Sequence, residues 1–280
     1  MDKQIIDLFI KNAVAEDLGD GDHTSLSTIP SNAQGKAKLI IKENGVLAGI
    51  ELALDIFDYI DSKLIVKTLL TDGQQVNFND IALTVSGNTH SILLAERLVL
   101  NCMQRMSGIA TKTHNITTLL AGYKTKLLDT RKTSPGLRFL EKWAVRIGGG
   151  VNHRMGLYDM ILIKDNHVDY AGGIANAINA ANIYRQTNAK ALQIEIEVRN
   201  LSELSAVVLT GNVDRIMLDN FEIENLKKAI DLINGRFVTE ASGGITELNI
   251  VDYAACGVDY ISMGALTHSV KSLDMSLKAF

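Results

Sequence analysis

From about residue 124 onward the chain repeats one pattern, a short apolar strand followed by a helix, and this pattern restricts the possible folds most. The spacing predicts strands at 126–129, 160–164, 193–198, 215–219, 237–241 and 260–263. Helical periodicity fills the intervals at 137–147, 174–185, 201–209, 223–233 and 246–255. Repeated strand-then-helix units place successive strands parallel in one sheet, and uniform repetition favours a closed α/β barrel over an open sheet.

The first hundred residues read differently. Apolar spacing of three and four predicts helices over 2–16 and 51–59, and β-branched alternation predicts strands near 36–42, 63–71 and 81–86. From Thr89 a long helix continues through Ile92, Leu93, Leu98, Leu100 and Met103, with Gly108 a candidate interruption. We read it as the connector between two parts. With 280 residues, 46% of them hydrophobic, the chain can bury one large core or two modest ones, and no low-complexity linker separates them.

Polar residues collect where a barrel would use them. Asp129, Arg131 and Lys132, then Lys164, Glu195 and Glu197, Asp219, Ser242-Gly243-Gly244 and Gly264 all fall at or near the carboxyl ends of the expected strands. Active sites of such barrels assemble on that face. Charge is concentrated there too. Between Arg97 and Lys164 stand twelve Lys/Arg against three Asp/Glu, in a chain whose net charge is −4. A field so localised suits a small polyanion in a cleft better than a nucleic acid tracking an exposed basic face.

No run of about 18 apolar residues points to a membrane span, and the N-terminus carries Asp2 and Asp7 where a signal peptide would be basic and then apolar. The expected location is the cytoplasm. Cys102 and Cys256 lie in apolar helical patterns without metal spacing, and we expect buried free thiols.

Individual residues suggest particular chemistry. Arginine offers a planar fork to carboxylate or phosphate and lysine a compact charge, so Arg131 and Lys132 beside a strand end are candidate anion ligands. Gly148-Gly149-Gly150, ahead of Asn152-His153-Arg154, offers either backbone N–H groups to an anion or a plain flexible loop. Lys164 ends an apolar strand, which leaves three roles open: anion ligand, Schiff-base nucleophile or partner in a structural ion pair. Glu195 and Glu197 are two apart on one strand and share a face, where two like charges need a cation nearby. Asp219 ends the next strand and could steady positive charge on a sugar or hold Mg2+ through water. Ser242-Gly243-Gly244 and Gly264 occupy positions where barrels bind phosphate. We expect His23 and His268 to be structural.

The order of motifs resembles the quinolinate phosphoribosyltransferase family along essentially the whole chain. It runs from Glu16-Asp17-Leu18-Gly19-Asp20-Gly21-Asp22-His23-Thr24 through Asp129-Thr130-Arg131-Lys132-Thr133, Asn152-His153-Arg154 and Ile163-Lys164-Asp165-Asn166-His167. Leu218-Asp219-Asn220, Ala241-Ser242-Gly243-Gly244-Ile245 and Gly264-Ala265-Leu266-Thr267-His268-Ser269 complete it. The resemblance implies an N-terminal α/β sandwich over 1–110, with the segment 268–280 packed on it, and an incomplete TIM-like α/β barrel over 111–267. It implies a homodimer or a multiple of one, with quinolinate and phosphoribosyl pyrophosphate as substrates, Mg2+ as cofactor, and nicotinate mononucleotide, pyrophosphate and CO2 as products. No nucleic acid and no membrane enters.

Residue by residue, it assigns Arg131, His153, Arg154 and Lys164 to the quinolinate carboxylates, with Lys132 shared between that pocket and phosphoribosyl pyrophosphate. Glu197 and Asp219 fall near the ribose and Mg2+, with Glu195 the alternative glutamate. Ser242, Gly243, Gly244 and Gly264 fall at the 5-phosphate, and Thr130, Met263 and Ala265 join the substrate contacts. Lys132, Glu197 and Asp219 are the expected catalytic residues. Arg105 matches an arginine that this family donates from the neighbouring subunit. Three rivals stand beside this reading: a paralogue of the same fold associated with molybdenum transport, a Schiff-base aldolase using Lys164, and a non-catalytic anion-binding regulator.

Overall fold

The computed structural model describes residues 3–188 and 191–280. The helix expected from residue 2 therefore begins outside the described residues. The chain divides into two compact units, one of Met1–Lys112 with Val270–Phe280 and the other of Thr113–Ser269.

In the first unit, α1 (Lys3–Leu18) and the short α2 (His23–Thr28) precede β1 (Gln34–Ile41) and β2 (Gly45–Val46). Then come α3 (Ile50–Ile60), β3 (Ile65–Thr68), β4 (Gln75–Val76), β5 (Ile81–Asn88) and α4 (Thr89–Leu119). The chain's last strand, Met275–Ala279, pairs antiparallel with β1, which pairs antiparallel with β5, which pairs with β3. Alternation along β1 buries Ala37, Leu39 and Ile41 on one face, while α3 buries Ile50, Leu52, Ala53, Ile56 and Phe57 along its apolar stripe. Asp72 fastens the start of α3 by accepting from Ile50 N at 2.8 Å.

Gly108 does not interrupt α4. The helix runs through it because the glycine serves a close approach: a Cβ there would meet Lys271 O at 2.3 Å. His23 opens α2, with Nε2 3.4 Å from Asp20 on the exposed surface.

The second unit's strands begin with β6 (Lys126–Leu128), and the chain continues through α5 (Arg138–Ile147), β7 (Ile161–Ile163), α6 (Asp165–Tyr170), α7 (Ile174–Thr187) and β8 (Ile194–Val198). It goes on through α8 (Leu201–Thr210), β9 (Arg215–Asp219), α9 (Ile223–Ile233), β10 (Val238–Ser242), α10 (Ile250–Ala255), β11 (Tyr260–Ser262) and α11 (Ala265–His268), and the end of α4 from Thr113 belongs to this unit too. All six strands are parallel in the order β6-β11-β10-β9-β8-β7. No pairing between β6 and β7 is present among the described residues, and Leu128 instead bridges Val151. This is an incomplete α/β barrel.

Three short helices, α2, α6 and α11, were not expected from periodicity, since each has too few residues to display it. The helix expected at 246–255 begins only at Ile250, because Thr246 N donates to Asn249 Oδ1 at 2.7 Å and forms a turn first. Cys102 and Cys256 are free and buried, and burial pushes the Cys102 thiol up to about 12. Among the described residues no helix is long and apolar enough to cross a membrane.

Candidate active site

At the carboxyl ends of the second unit's strands lies a cavity of about 650 Å³. Its cationic wall is Arg131, Lys132, Arg154 and Lys164, and its carboxylates are Glu197, Asp219 and Glu240. Thr130, His153, Ser242, Gly243 and Gly244 also border it. Arg105, Met263, Gly264 and Ala265 do not. Arg105 sits on α4 in the first unit and reaches Val270 O at 3.5 Å. Met263 is buried, with its N–H bonded to Leu128 O at 3.0 Å. Gly264 borders Lys132 instead of the cavity: a Cβ there would come within 2.8 Å of Lys132 Cδ and 3.1 Å of the His268 ring. His268 Nδ1 lies 2.7 Å from Ser269 Oγ.

The loop after β6 is held by short-range bonds. Lys132 N donates to Thr130 Oγ1 at 3.0 Å, and Lys132 O accepts from Thr267 Oγ1 at 2.7 Å, which fixes the backbone and leaves the exposed lysine side chain to the mouth. Below that loop Asp129 is fully buried and pairs with the equally buried Lys142 of α5. Lys142 Nζ also donates to His153 O at 3.0 Å, while Asp129 accepts from His153 N at 2.8 Å and from Asn152 Nδ2 at 2.5 Å. Burial pushes Asp129 up and Lys142 down, and each charge opposes the shift of the other. With several hydrogen bonds converging on both groups we assign the charged pair. It fastens the end of β6, α5 and the 152–154 segment at one point.

The triple glycine, open in sequence between an anion nest and a plain loop, forms a helix terminus. Gly148 N bonds to Ala144 O, Gly149 N to Arg146 O and Gly150 N to Val145 O, so all three N–H groups terminate α5 and none is offered to an anion.

Lys164 Nζ lies 2.8 Å from Glu197 Oε2, an ion pair at the cavity's border. Asp219 is half-buried, and burial followed by the charge of Glu197 pushes its carboxyl up, against the Asn220 amide, Lys164 and Lys132. Asn220 Nδ2 donates to Asp219 Oδ2 at 2.7 Å. Gly243 permits that arrangement, since a Cβ there would stand 2.2 Å from Asn220 Oδ1. Burial and the neighbouring Arg131 guanidinium disfavour the charge on Arg154.

Glu195 lies one layer beneath Glu197 and does not border the cavity. His153 Nε2 is 2.9 Å from Glu195 Oε2 and 3.4 Å from Glu240 Oε2, though neither approach meets hydrogen-bond geometry. Burial pulls His153 down, but the two carboxylates overcome it and push it up to about 9. Against that, Nδ1 accepts the Arg154 N–H at 2.7 Å, and a second ring proton would face that donor. We therefore place the ring proton on Nε2 and the cluster's extra proton on Glu195, which burial and the charge of Glu240 raise to about 7. Facing His153 and salt-bridged to Arg215 at 3.1 Å, Glu240 is held down despite its burial. The three donors His153, Glu195 and Glu240 lie close enough to hold a metal ion, but a metal needs the Nε2 lone pair, which this tautomer lacks.

Leu162, Met217, Asn220, Glu240 and Ser262 border the cavity without having been singled out in the sequence. A usable signal existed for four of them. Leu162, Met217, Glu240 and Ser262 each stand two residues before a strand-end residue already chosen, namely Lys164, Asp219, Ser242 and Gly264, so strand alternation puts them on the same face.

A parallel barrel with four cations and three carboxylates around one cavity at its strand ends defines an α/β-barrel protein built to process a small polyanion. Comparison with known proteins narrows the class. Residues 22–107 match the family described as Quinolinate phosphoribosyl transferase, N-terminal domain, and residues 109–278 match its C-terminal domain. The chain is 46% identical over 284 residues to a quinolinate phosphoribosyltransferase [decarboxylating] of Nicotiana tabacum, covering 96% of this chain and 81% of the relative. It is 47% identical over 286 residues, with the same shares covered, to a nicotinate-nucleotide pyrophosphorylase [carboxylating], chloroplastic, of Arabidopsis thaliana. Among solved structures, the nicotinate-nucleotide pyrophosphorylase of Francisella tularensis superposes with a TM-score of 0.93 at 39% identity, covering 100% of this chain and 98% of that one. This chain belongs to the quinolinate phosphoribosyltransferase family.

Proposed function

We propose that this chain transfers the phosphoribosyl group of phosphoribosyl pyrophosphate to quinolinate with decarboxylation, giving nicotinate mononucleotide, pyrophosphate and CO2 in NAD biosynthesis. The observation that carries the reading is the cavity wall on which Arg131, Lys132, Arg154 and Lys164 face Glu197 and Asp219. Arginine and lysine on that wall bind the two quinolinate carboxylates and orient the ring nitrogen toward the sugar C1, at an approach of about 3 Å. Departure of pyrophosphate leaves positive charge on the sugar, which Glu197 and Asp219 stabilise, while Lys132 stabilises the leaving group. Once alkylated, the positively charged ring nitrogen stabilises the electron pair left on C2 as the adjacent carboxylate departs as CO2, and C2 then takes a proton. Ser242, Gly243 and Gly244 lie where the 5-phosphate is held.

The donor set Glu197, Asp219 and Asn220 is all oxygen and suits Mg2+, which is commonly held by one or two carboxylates together with substrate phosphates. When bound, Mg2+ would neutralise charge on the pyrophosphate. The same reading makes the enzyme a cytoplasmic homodimer, or a multiple of one, in which Arg105 serves the neighbouring subunit's cavity. Incubation with quinolinate, phosphoribosyl pyrophosphate and Mg2+ should release CO2 and nicotinate mononucleotide in equal amounts. Binding of both substrates without CO2 would leave an anion-binding protein instead.

A further inference from the structure

Barrels of this class normally fill their interior with branched apolar side chains. Beneath this cavity the interior instead holds Glu195 on β8, Arg215 on β9 and Glu240 on β10, with His153 entering from the segment after β6 and α5. Glu195 and Glu240 are fully buried, and both oxygens of Glu195 lack a hydrogen bond. Such a core is expensive: apolar residues of similar volume often serve stability as well or better. Stability alone does not account for it.

The contacts form a chain that ends at the cavity. The Tyr260 ring lies 4.5 Å from the Arg215 guanidinium, and Arg215 Nη1 donates to Glu240 Oε2 at 3.1 Å. Glu240 and Glu195 flank His153 Nε2, and His153 Nδ1 accepts from Arg154 N. The Arg154 guanidinium then borders the cavity, held by Met160 O at 3.3 Å. His153 Nδ1 is therefore engaged by the Arg154 peptide, while Nε2 faces the two carboxylates at ion-pair distance without a hydrogen bond.

We propose that Glu195, with Glu240, is a positioning residue: it fixes the orientation of His153, which through Nδ1 holds the Arg154 peptide and so aims the Arg154 guanidinium at a substrate carboxylate. This inference rests on the reading of the cavity as a quinolinate site.

The test is Glu195→Leu, which removes the acceptor facing Nε2 at similar volume, beside Glu195→Gln, which retains one. Glu195→Leu should fold with an unchanged or higher Tm, raise KM for quinolinate about tenfold or more, and leave KM for phosphoribosyl pyrophosphate within twofold. Glu195→Gln should stay within about threefold of the parent in both. A carboxylate acting only as background charge would give the opposite sign, because its removal makes the cavity more attractive to anions. Unchanged or lowered quinolinate KM in Glu195→Leu overturns the proposal. So does a loss of fold, or equal losses for both substrates with a fallen Tm, which would assign the cluster to stability.

Histidine 15N spectra of the unsubstituted protein at pH 8 give an independent reading. They should show His153 protonated at Nε2 with Nδ1 as acceptor, and the reverse tautomer overturns the proposal whatever the variants do. If the unsubstituted enzyme does not turn over quinolinate, it is the proposed function that fails, a result separate from all of these.

Discussion

Lys164 and Glu197, on neighbouring strand ends, form an ion pair at 2.8 Å in which the lysine side chain is 46% exposed and the glutamate 8%. The lysine end is open to water, which screens the pair there, so a dicarboxylate can compete with Glu197 for Lys164. The pair thus keeps the cation in place before substrate arrives. Glu197→Gln releases Lys164 and should tighten quinolinate binding about three- to tenfold by calorimetry. It should lower kcat by about a hundredfold, since the charge that steadies the sugar is gone. Weaker quinolinate binding in that variant would contradict the competition.

Nicotinate should be a poor substrate. A wall built for two carboxylates leaves cations unpaired when one is missing, which costs roughly 2–5 kcal/mol. Specificity constants within tenfold of each other for quinolinate and nicotinate would contradict the assignment of Arg131, Arg154 and Lys164 to the carboxylates.

Lys142→Met should be among the most destabilising single changes in the second unit, although Lys142 does not border the cavity. The methionine fits, but Asp129 is left charged, buried and without its cation, at a cost of about 3–5 kcal/mol. The urea midpoint reads this directly. A loss below about 1 kcal/mol would mean that Asn152 and the His153 N–H satisfy Asp129 unaided.

The pH dependence of stability has a definite sign. Glu195 is raised from 4.5 to about 7, so the folded protein keeps a proton that the unfolded chain releases. Its contribution is complete below about pH 4.5 and is lost as the pH rises toward 7, a change on the order of a few kcal/mol. Other groups titrate in the same window. The readout is therefore the difference in unfolding free energy between the unsubstituted protein and Glu195→Gln, which should shift against the unsubstituted protein between pH 4.5 and 7 and level off above. A flat difference would place the proton elsewhere.

Much of the barrel was legible because its strands and helices are punctuated at regular intervals, and β9 and α9 fall at the residues that periodicity indicated. Strand ends then pointed to Arg131, Lys164, Glu197 and Asp219, since a parallel barrel presents one face to ligands. Pairing partners were not legible. Nothing local tells that Lys142, inside an amphipathic helix, turns inward to Asp129, or that Glu240 meets His153 across the barrel interior; both depend on contacts distant in sequence. The triple glycine stayed ambiguous because a helix terminus, an anion nest and a flexible loop ask for the same residue type. The strand pairing of Met275–Ala279 with β1 was equally hidden, as five residues of weak alternation indicate a strand but not its neighbour.

Arg105 separates a shared active site from a self-contained one. It lies on α4, outside the residues that border the cavity, and the proposed function assigns it to the neighbouring subunit's quinolinate. If so, Arg105→Ala and Lys164→Ala homodimers should each be nearly inactive, each lacking one cation at every site. In a mixed two-fold dimer both lesions fall on one site and the other is intact. Random exchange makes about half of the dimers mixed, so about a quarter of all sites should recover. Activity that fails to rise above the separate variants after verified subunit exchange would remove Arg105 from the neighbouring site.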